Sequence, residues 1–398
     1  HETVPSRRQL TKLRSGGGLL LRRRSAPLTR RTVAYFHSGA HNPLSGKRSG
    51  YIPTLDGWRA IAILIVMLDH SATISLWHFS TFRFHYLGDF GVRIFFALSG
   101  LLITSRLLDE ESITGGLHLK GFYIRRVLRI QPVALLFLAT VSILTLLHRL
   151  PANWDALLAA LLFVRNIFEV HLTPSSWPTS HFWSLSVEEQ FYLFLPAFLV
   201  LVKRRRGPIL LTLALLDMGW FLYGLAMHDW VPDLYLFRTD YCVHFLILAA
   251  ALAVFLRNDT FRARCARVIR AWWVLPLTLL MIPNKSPIHG LLFLTPCLLV
   301  MSTVLHPHTG ISRAFEWKPV RFLGRISYSL YIWQALFFSA FFAPSLRTFG
   351  DMDRLWLFWP CVFITAYLSY RFVEKPFMRL GHRVAHPATA GRPELAQG

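Results

Sequence analysis

Apolar residues in this chain gather into long, nearly unbroken runs, neither the alternation of a half-buried strand nor the one-sided stripe of a soluble helix. A bilayer-crossing helix needs roughly 20 mostly apolar residues. Runs near that length lie at about 59–78, 86–106, 130–148, 183–202, 208–226, 234–256, 271–284, 288–305, 322–343 and 355–373. The pattern predicts an all-α polytopic integral membrane protein with about ten transmembrane helices. The apolar segment 155–169 is short and precedes a Pro/Ser-rich loop, so it reads as a re-entrant or interfacial segment rather than a further span. No internal repeat is evident.

The polar interruptions orient these spans. Basic clusters occur at Arg125-Arg126-Arg129, Lys203 to Arg206, Arg257 to Arg270, Lys318 with Arg321, and Arg371 to Arg383. Short loops rich in Lys and Arg stay cytoplasmic. With ten spans and both termini inside, all of these clusters fall on the cytoplasmic side; a full span at 155–169 would turn the later ones outward. The expected division is a basic disordered segment at 1–50, a transmembrane domain at 51–380 and a short cytoplasmic tail at 381–398. Residues 1–50 hold eleven Lys or Arg against one acid, Glu2, a balance that favours disorder and also resembles an organelle transit peptide.

Composition agrees. Hydrophobic residues make up 54% of the 398 and charged ones 16%, against about 25% charged in a soluble protein. A formal charge of +22 could signal nucleic acid, but its placement in short loops and at the N-terminus points to membrane lipid instead. The four cysteines are scattered without a metal-like spacing and read as buried thiols, with no metal expected.

Chemistry is sought where ionisable groups interrupt the apolar runs, because such groups are costly there. In LDGWRAIAILIVMLDHSATI, residues 55–74, Arg59 and His70 are eleven positions apart, or roughly 16 Å along a helix. With Arg59 at the cytoplasmic headgroups, His70 lies near the middle of a core roughly 30 Å thick. Asp69 is about 100° round the helix and Val66 and Ile74 are apolar, so an acidic partner for His70 must come from another helix. These residues alone fit equally a surface anchor at Arg59 and a polar plug at His70. In GDFGVRIFFALSGLLIT, residues 88–104, the small Gly91, Ser99 and Gly100 suit close helix packing. Arg126 and Arg129 share a helix face beside Arg125 and suit phosphate, whether of a ligand or of lipid headgroups. In HFWSLSVEEQFYLFLP, residues 181–196, Glu188 and Glu189 open an apolar helix behind His181. One serves the helix start, and the other can reach inward to a His or Arg. LFRTDYCVHF places Arg238, Asp240 and His244 at the outer end of a later span, where Arg238 and Asp240 can neutralise each other.

Taken together and in order, these stretches resemble the membrane acyltransferase-3 family, whose members include O-acetyltransferases of bacterial surface polysaccharides. The resemblance spans roughly 51–380. It is carried by Arg59 with His70, GVRIFFALSGLLIT at 91–104, RRVLRIQP at 125–132 and HFWSLSVEEQFYLFLP at 181–196, with weaker echoes in FRTDY, FLGRISYSLYIWQ and RFVEKPF. Gln334 stands where the family often has histidine, and Ala249 to Ala251 replace a common glycine. The resemblance implies transfer of an acyl group, usually acetyl, from cytoplasmic acetyl-CoA or another acyl-CoA to a hydroxyl of a carbohydrate or other small molecule. It carries over Arg59 and His70 as an essential pair, Arg126 and Arg129 as the cytoplasmic Arg-x-x-Arg, and Glu188 as an essential acid.

The resulting expectation is a multi-pass protein of the cell membrane, bacterial plasma membrane first. Arg59, Arg125, Arg126 and Arg129 would hold the donor's phosphates. His70 would act as general base or accept the acyl group transiently, and Glu188 would orient His70 or bind the acceptor. His181, Glu189, Arg238 and Asp240 are candidates for acceptor binding, with the outward loops 165–182 and 343–354. The absence of a fused esterase-like domain suggests complete transfer in one chain or a separate extracytoplasmic transferase as partner. A transporter or flippase using the same buried charges is the alternative, and a catalytically silent membrane sensor a third reading.

Overall fold

The computed structural model describes residues 52–72, 85–167, 175–227, 238–281, 294–338 and 355–385. The segment 1–50, the loop 343–354 and the end of the expected tail lie outside them. The described residues are mostly helical, with no strand. Hydrogen bonds within each segment are the way a backbone is satisfied in hydrocarbon.

The helices run, in chain order, α1 (Pro53–Ala72), α2 (His85–Thr114), α3 (Leu119–Leu146), α4 (Trp154–Leu161), α5 (Phe182–Leu201), α6 (Arg206–Met227), α7 (Val243–Phe255), α8 (Asp259–Val268), α9 (Ala271–Met281), α10 (Thr295–Val304), α11 (Gly310–Phe315), α12 (Lys318–Arg325), α13 (Ser327–Phe338), α14 (Leu355–Ser369) and α15 (Lys375–Ala385). Short 3₁₀ turns at Trp177–Thr179 and Thr239–Tyr241 lead into α5 and α7. A π-helical stretch, Tyr370–Glu374, joins α14 to α15.

Four stretches among the described residues are long and apolar enough to cross a membrane: Leu87–Thr114, Leu119–Leu146, Trp177–Leu201 and Arg206–Gly224. Helices α7 and α8, bent by 119° at their junction, make a fifth if taken as one broken span. Helix α1 has the length, at 20 residues, but carries Asp56, Arg59 and Asp69, and several later helices are shorter than a bilayer requires. The apolar segment 155–169 is the eight-residue α4 followed by a turn that buries Phe163, Arg165 and Asn166, and so is not a span. The expected run 322–343 is divided between α12 and α13, with the break at Ile326. Helix α3 begins well before the apolar run that signalled it, so its arginines sit inside the helix rather than in a loop.

At the centre, α2 packs against both α1 and α7. Small residues make that possible. A Cβ at Gly91 would meet the Ala62 carbonyl oxygen at 2.7 Å, and one at Gly100 would fall on the Leu246 carbonyl oxygen. Helix α12 closes onto α1 in the same way, with Gly324 against the Asp56 backbone. Helix α13 packs on α1 and α14, and α15 on α3. The buried apolar core runs through α1, α2, α3, α7, α13 and α14 among others, from Leu55 to Ala366, while leucines such as Leu146, Leu201 and Leu216 are exposed on the outer faces.

Candidate active site

The arginines that the sequence scatters over three helices meet inside the bundle. A cavity of about 80 Å³ is lined by Arg59 of α1, Arg106 of α2 and Arg126 and Arg129 of α3. Ser99 of α2, Glu188 and Tyr192 of α5, and Tyr328 and Tyr331 of α13 complete much of its wall. Four guanidiniums thus face one lining carboxylate, and a surplus of positive charge between low-dielectric walls attracts an anion. Arg126 lies over the Tyr192 ring, 4.6 Å from its centroid, a cation–π contact. Asp56, 3.6 Å from Arg59, sits behind it. Glu188 accepts hydrogen bonds from Ser99 Oγ at 3.0 Å and Tyr192 OH at 3.1 Å, so its carboxylate is fixed by two helices.

His70 occupies a second tier, reached along α1 three turns beyond Arg59. It is not among the residues lining the arginine cavity. Its Nδ1 lies 3.1 Å from Oε1 of Gln334 on α13, and its ring meets Trp177 edge-on at 5.7 Å. The Gln334 carboxamide is thus within hydrogen-bond distance of Nδ1, a contact that ties the orientation of the ring to α13. Among the described residues, the side chain from another helix that meets Nδ1 is a neutral amide. Asp69 points elsewhere, toward Gly88 at the start of α2. Glu188 belongs to the arginine tier.

Between the tiers lie Ser184 and Tyr331, both on the cavity wall. Their hydroxyls are 2.6 Å apart, and Tyr331 OH also donates to the His181 carbonyl at 3.0 Å. His181 is 3% exposed, packed edge-on against Phe137 at 5.3 Å and Tyr331 at 5.6 Å. Neither of its ring nitrogens has a hydrogen-bond partner among the described residues.

The other predicted residues disperse. Arg125 turns away from the cavity and pairs with Glu110 at 3.2 Å, as its position 100° from Arg126 on α3 requires. Glu189 does not line the cavity, and its Oε1 is buried without a hydrogen-bond partner among the described residues. Arg238 and Asp240 pair with each other at 2.9 Å, about half exposed. His244 is held by Asp217 of α6, with Nδ1 at 2.8 Å. Sequence reasoning missed Arg106, Tyr192, Tyr328, Tyr331 and the role of Gln334. Arg106 carried a signal, since it lies two helical turns from Ser99 on one face. The tyrosines carried none that distinguishes them from packing aromatics.

A family model described as an acyltransferase domain matches residues 52–373. A protein of Staphylococcus aureus (strain COL), provisionally named an O-acetyltransferase, is 31% identical over 372 residues, covering 84% of this chain and 58% of its own. The peptidoglycan O-acetyltransferase OatA of Listeria monocytogenes is 30% identical over 367 residues, covering 83% of this chain and 56% of its own. A Bacillus subtilis protein, YrhL, provisionally named a peptidoglycan O-acetyltransferase, is 29% identical over 371 residues, covering 84% and 56%. The chain therefore spans less than three fifths of the length of these curated relatives. No solved structure matches. Because the family match extends across every helix that walls the arginine cavity and holds His70, the chain belongs to the acyltransferase-3 family.

Proposed function

We propose that this protein is a membrane O-acetyltransferase that moves an acyl group from cytoplasmic acyl-CoA to a hydroxyl of a cell-envelope glycan. The observation that carries the reading is the convergence of Arg59, Arg106, Arg126 and Arg129 on one cavity inside a helical bundle. Coenzyme A bears several phosphates, and guanidiniums bind phosphate through paired, charge-assisted hydrogen bonds. In this reading the donor's phosphates lie beside the four guanidiniums and its reactive end points toward His70. Support for acetyl as the group and a glycan as acceptor comes from the relatives' names, which specify O-acetyl transfer and, in two cases, peptidoglycan.

In this reading the chain crosses the bacterial plasma membrane several times, about ten, with both termini and the basic clusters on the cytoplasmic side. His70 Nε2 takes the proton of the acceptor hydroxyl as it attacks the thioester carbonyl. The acyl carbon–sulfur bond then breaks, and the proton passes from His70 to the sulfur, so that coenzyme A leaves as its thiol. Gln334 holds the ring in the tautomer this needs. Tyr331 and Ser184 stand where the acyl group passes from the arginine tier to His70. Glu188 keeps Tyr192 and Arg126 in place.

The test is acetyl-CoA binding to the purified protein in nanodiscs, wild type against Arg126→Ala. Losing one charge-assisted contact weakens affinity about 10- to 100-fold. Saturable binding that the variant weakens supports the donor site. No saturable binding by folded wild type would overturn the reading in favour of a transporter, where the buried charges line a substrate path.

A further inference from the structure

Arg165 heads the largest fully buried side chains among the described residues, 2% exposed. Burying a guanidinium is expensive unless an anion and good hydrogen bonds compensate it. Here Nε donates to Thr179 Oγ1 and one Nη to the Ser176 carbonyl, each at 3.4 Å, the long limit of a useful hydrogen bond. No carboxylate pairs with it among the described residues.

The backbone is strained to put it there. After α4, Phe163 adopts a left-handed conformation with φ 53°, unfavourable for a bulky residue, and the chain turns inward. The Arg165 N–H then donates to Ser186 Oγ of α5 at 3.2 Å. Asn166 is clamped by Gln190 at 3.2 Å and by Thr239. Strain of this kind, held by surrounding bonds, gathers at functional positions.

The neighbours matter most. Ser176 and Thr179, which touch the guanidinium, flank Trp177, whose ring packs on His70. Two residues on, His181 is buried with both ring nitrogens lacking partners among the described residues. Underused polar groups from the turn after α4 and from the residue preceding α5 thus flank Trp177, the residue that packs on His70.

We propose that Arg165, with His181, is the anion-holding part of the acceptor site, so that the acceptor is a carbohydrate bearing a carboxylate or phosphate near the hydroxyl that receives the acyl group. The inference rests on the acyl-transfer reading and deepens it by naming the charge class of the acceptor. An incoming anion replaces the two long contacts to Ser176 and Thr179 with short, charge-assisted ones. The donor has no need of Arg165, since in this reading the four cavity arginines serve its phosphates.

The experiment is equilibrium binding to the full chain in nanodiscs, using matched sugars that differ in charge. One pair is N-acetylmuramic acid and its methyl ester; the other is N-acetylglucosamine 1-phosphate and N-acetylglucosamine. Wild type should bind the charged member of one pair at least about tenfold more tightly, and which pair shows it separates carboxylate from phosphate. Arg165→Gln should reduce that preference to about twofold or less while leaving the neutral sugar's affinity unchanged; Arg165→Lys, keeping the charge but not the fork, should retain part of it. Wild type that binds both members of both pairs alike overturns the proposal without any variant. So does an Arg165→Gln protein that weakens charged and neutral sugars equally, the mark of a merely structural residue. Acetyl-CoA binding on the same samples separates the two readings. Donor binding without charge preference sinks the anion site alone. Charge preference without donor binding supports the anion site and sinks acyl transfer from coenzyme A.

Discussion

In the proposed reaction His70 is the base, and the hydrogen-bond contact that orients it comes from the neutral Gln334. An imidazole whose Nδ1–H is held by a carboxamide presents Nε2 without gaining the charge that an acidic partner would bring. His70→Ala should lower acyl transfer about 10²- to 10⁴-fold, the usual worth of general-base help, with acetyl-CoA affinity unchanged. Full activity in that variant would remove His70 from the chemistry. Gln334→Leu loses the tautomer control but not the base. Its turnover should fall about 3- to 10-fold, in line with one hydrogen bond, with the Michaelis constant for donor unaltered. A change confined to that constant would place Gln334 in binding instead.

At the scale of elements, the site depends on close helix contacts with no room for an extra methyl. Gly324 of α12 lies against the Asp56 backbone of α1, two residues from Trp58, whose indole donates to Thr303 at 2.8 Å. Gly324→Ala forces α12 off α1, and overpacking of this kind costs about 1–3 kcal/mol. A lowered thermal midpoint in detergent is expected, together with weakened donor binding as Arg59 moves with α1. By contrast, a methyl group at Gly219 of α6 would meet nothing within 4 Å among the described residues. Gly219→Ala should leave stability unchanged or slightly raised, because alanine favours helix over glycine. Equal midpoints for the two variants would contradict the packing account.

For the whole molecule, the question is which way the bundle faces. The arginine cavity and the basic clusters at Lys203 to Arg206, Arg257 to Arg270 and Arg371 to Arg383 must share the cytoplasmic side if the donor is a cytoplasmic thioester. Cysteines introduced at Arg204, Arg267 and Arg379 should be modified by a membrane-impermeant reagent only after the cells are opened, and one at Arg238 in intact cells. Labelling of the Arg204 and Arg238 positions from the same side would invalidate the orientation and the route proposed for the acyl group.

The hydrophobic pattern by itself determined that the chain is helical and membrane-type, because backbone satisfaction in hydrocarbon leaves few alternatives once apolar runs reach bilayer length. It also marks Arg59 and His70 as ionisable groups bounding an apolar run; Arg126 and Arg129 are marked by a shared helix face and Glu188 by opening an apolar helix, and only the family resemblance gives them roles. It did not distinguish Arg125 from Arg126 by role; the helical turn between them sends one into the cavity and the other to Glu110. Nor could it show that four arginines from three helices converge, or that His70 is served by a glutamine 264 residues away. Arg165 falls where the short apolar run 155–169 meets the outward loop 165–182, and although that loop reads as an acceptor-contact region, nothing in the pattern singles out this residue. Which side chains meet across helices is settled by how small residues such as Gly91, Gly100 and Gly324 let backbones approach, and that lies in the packing rather than in the period of any one helix.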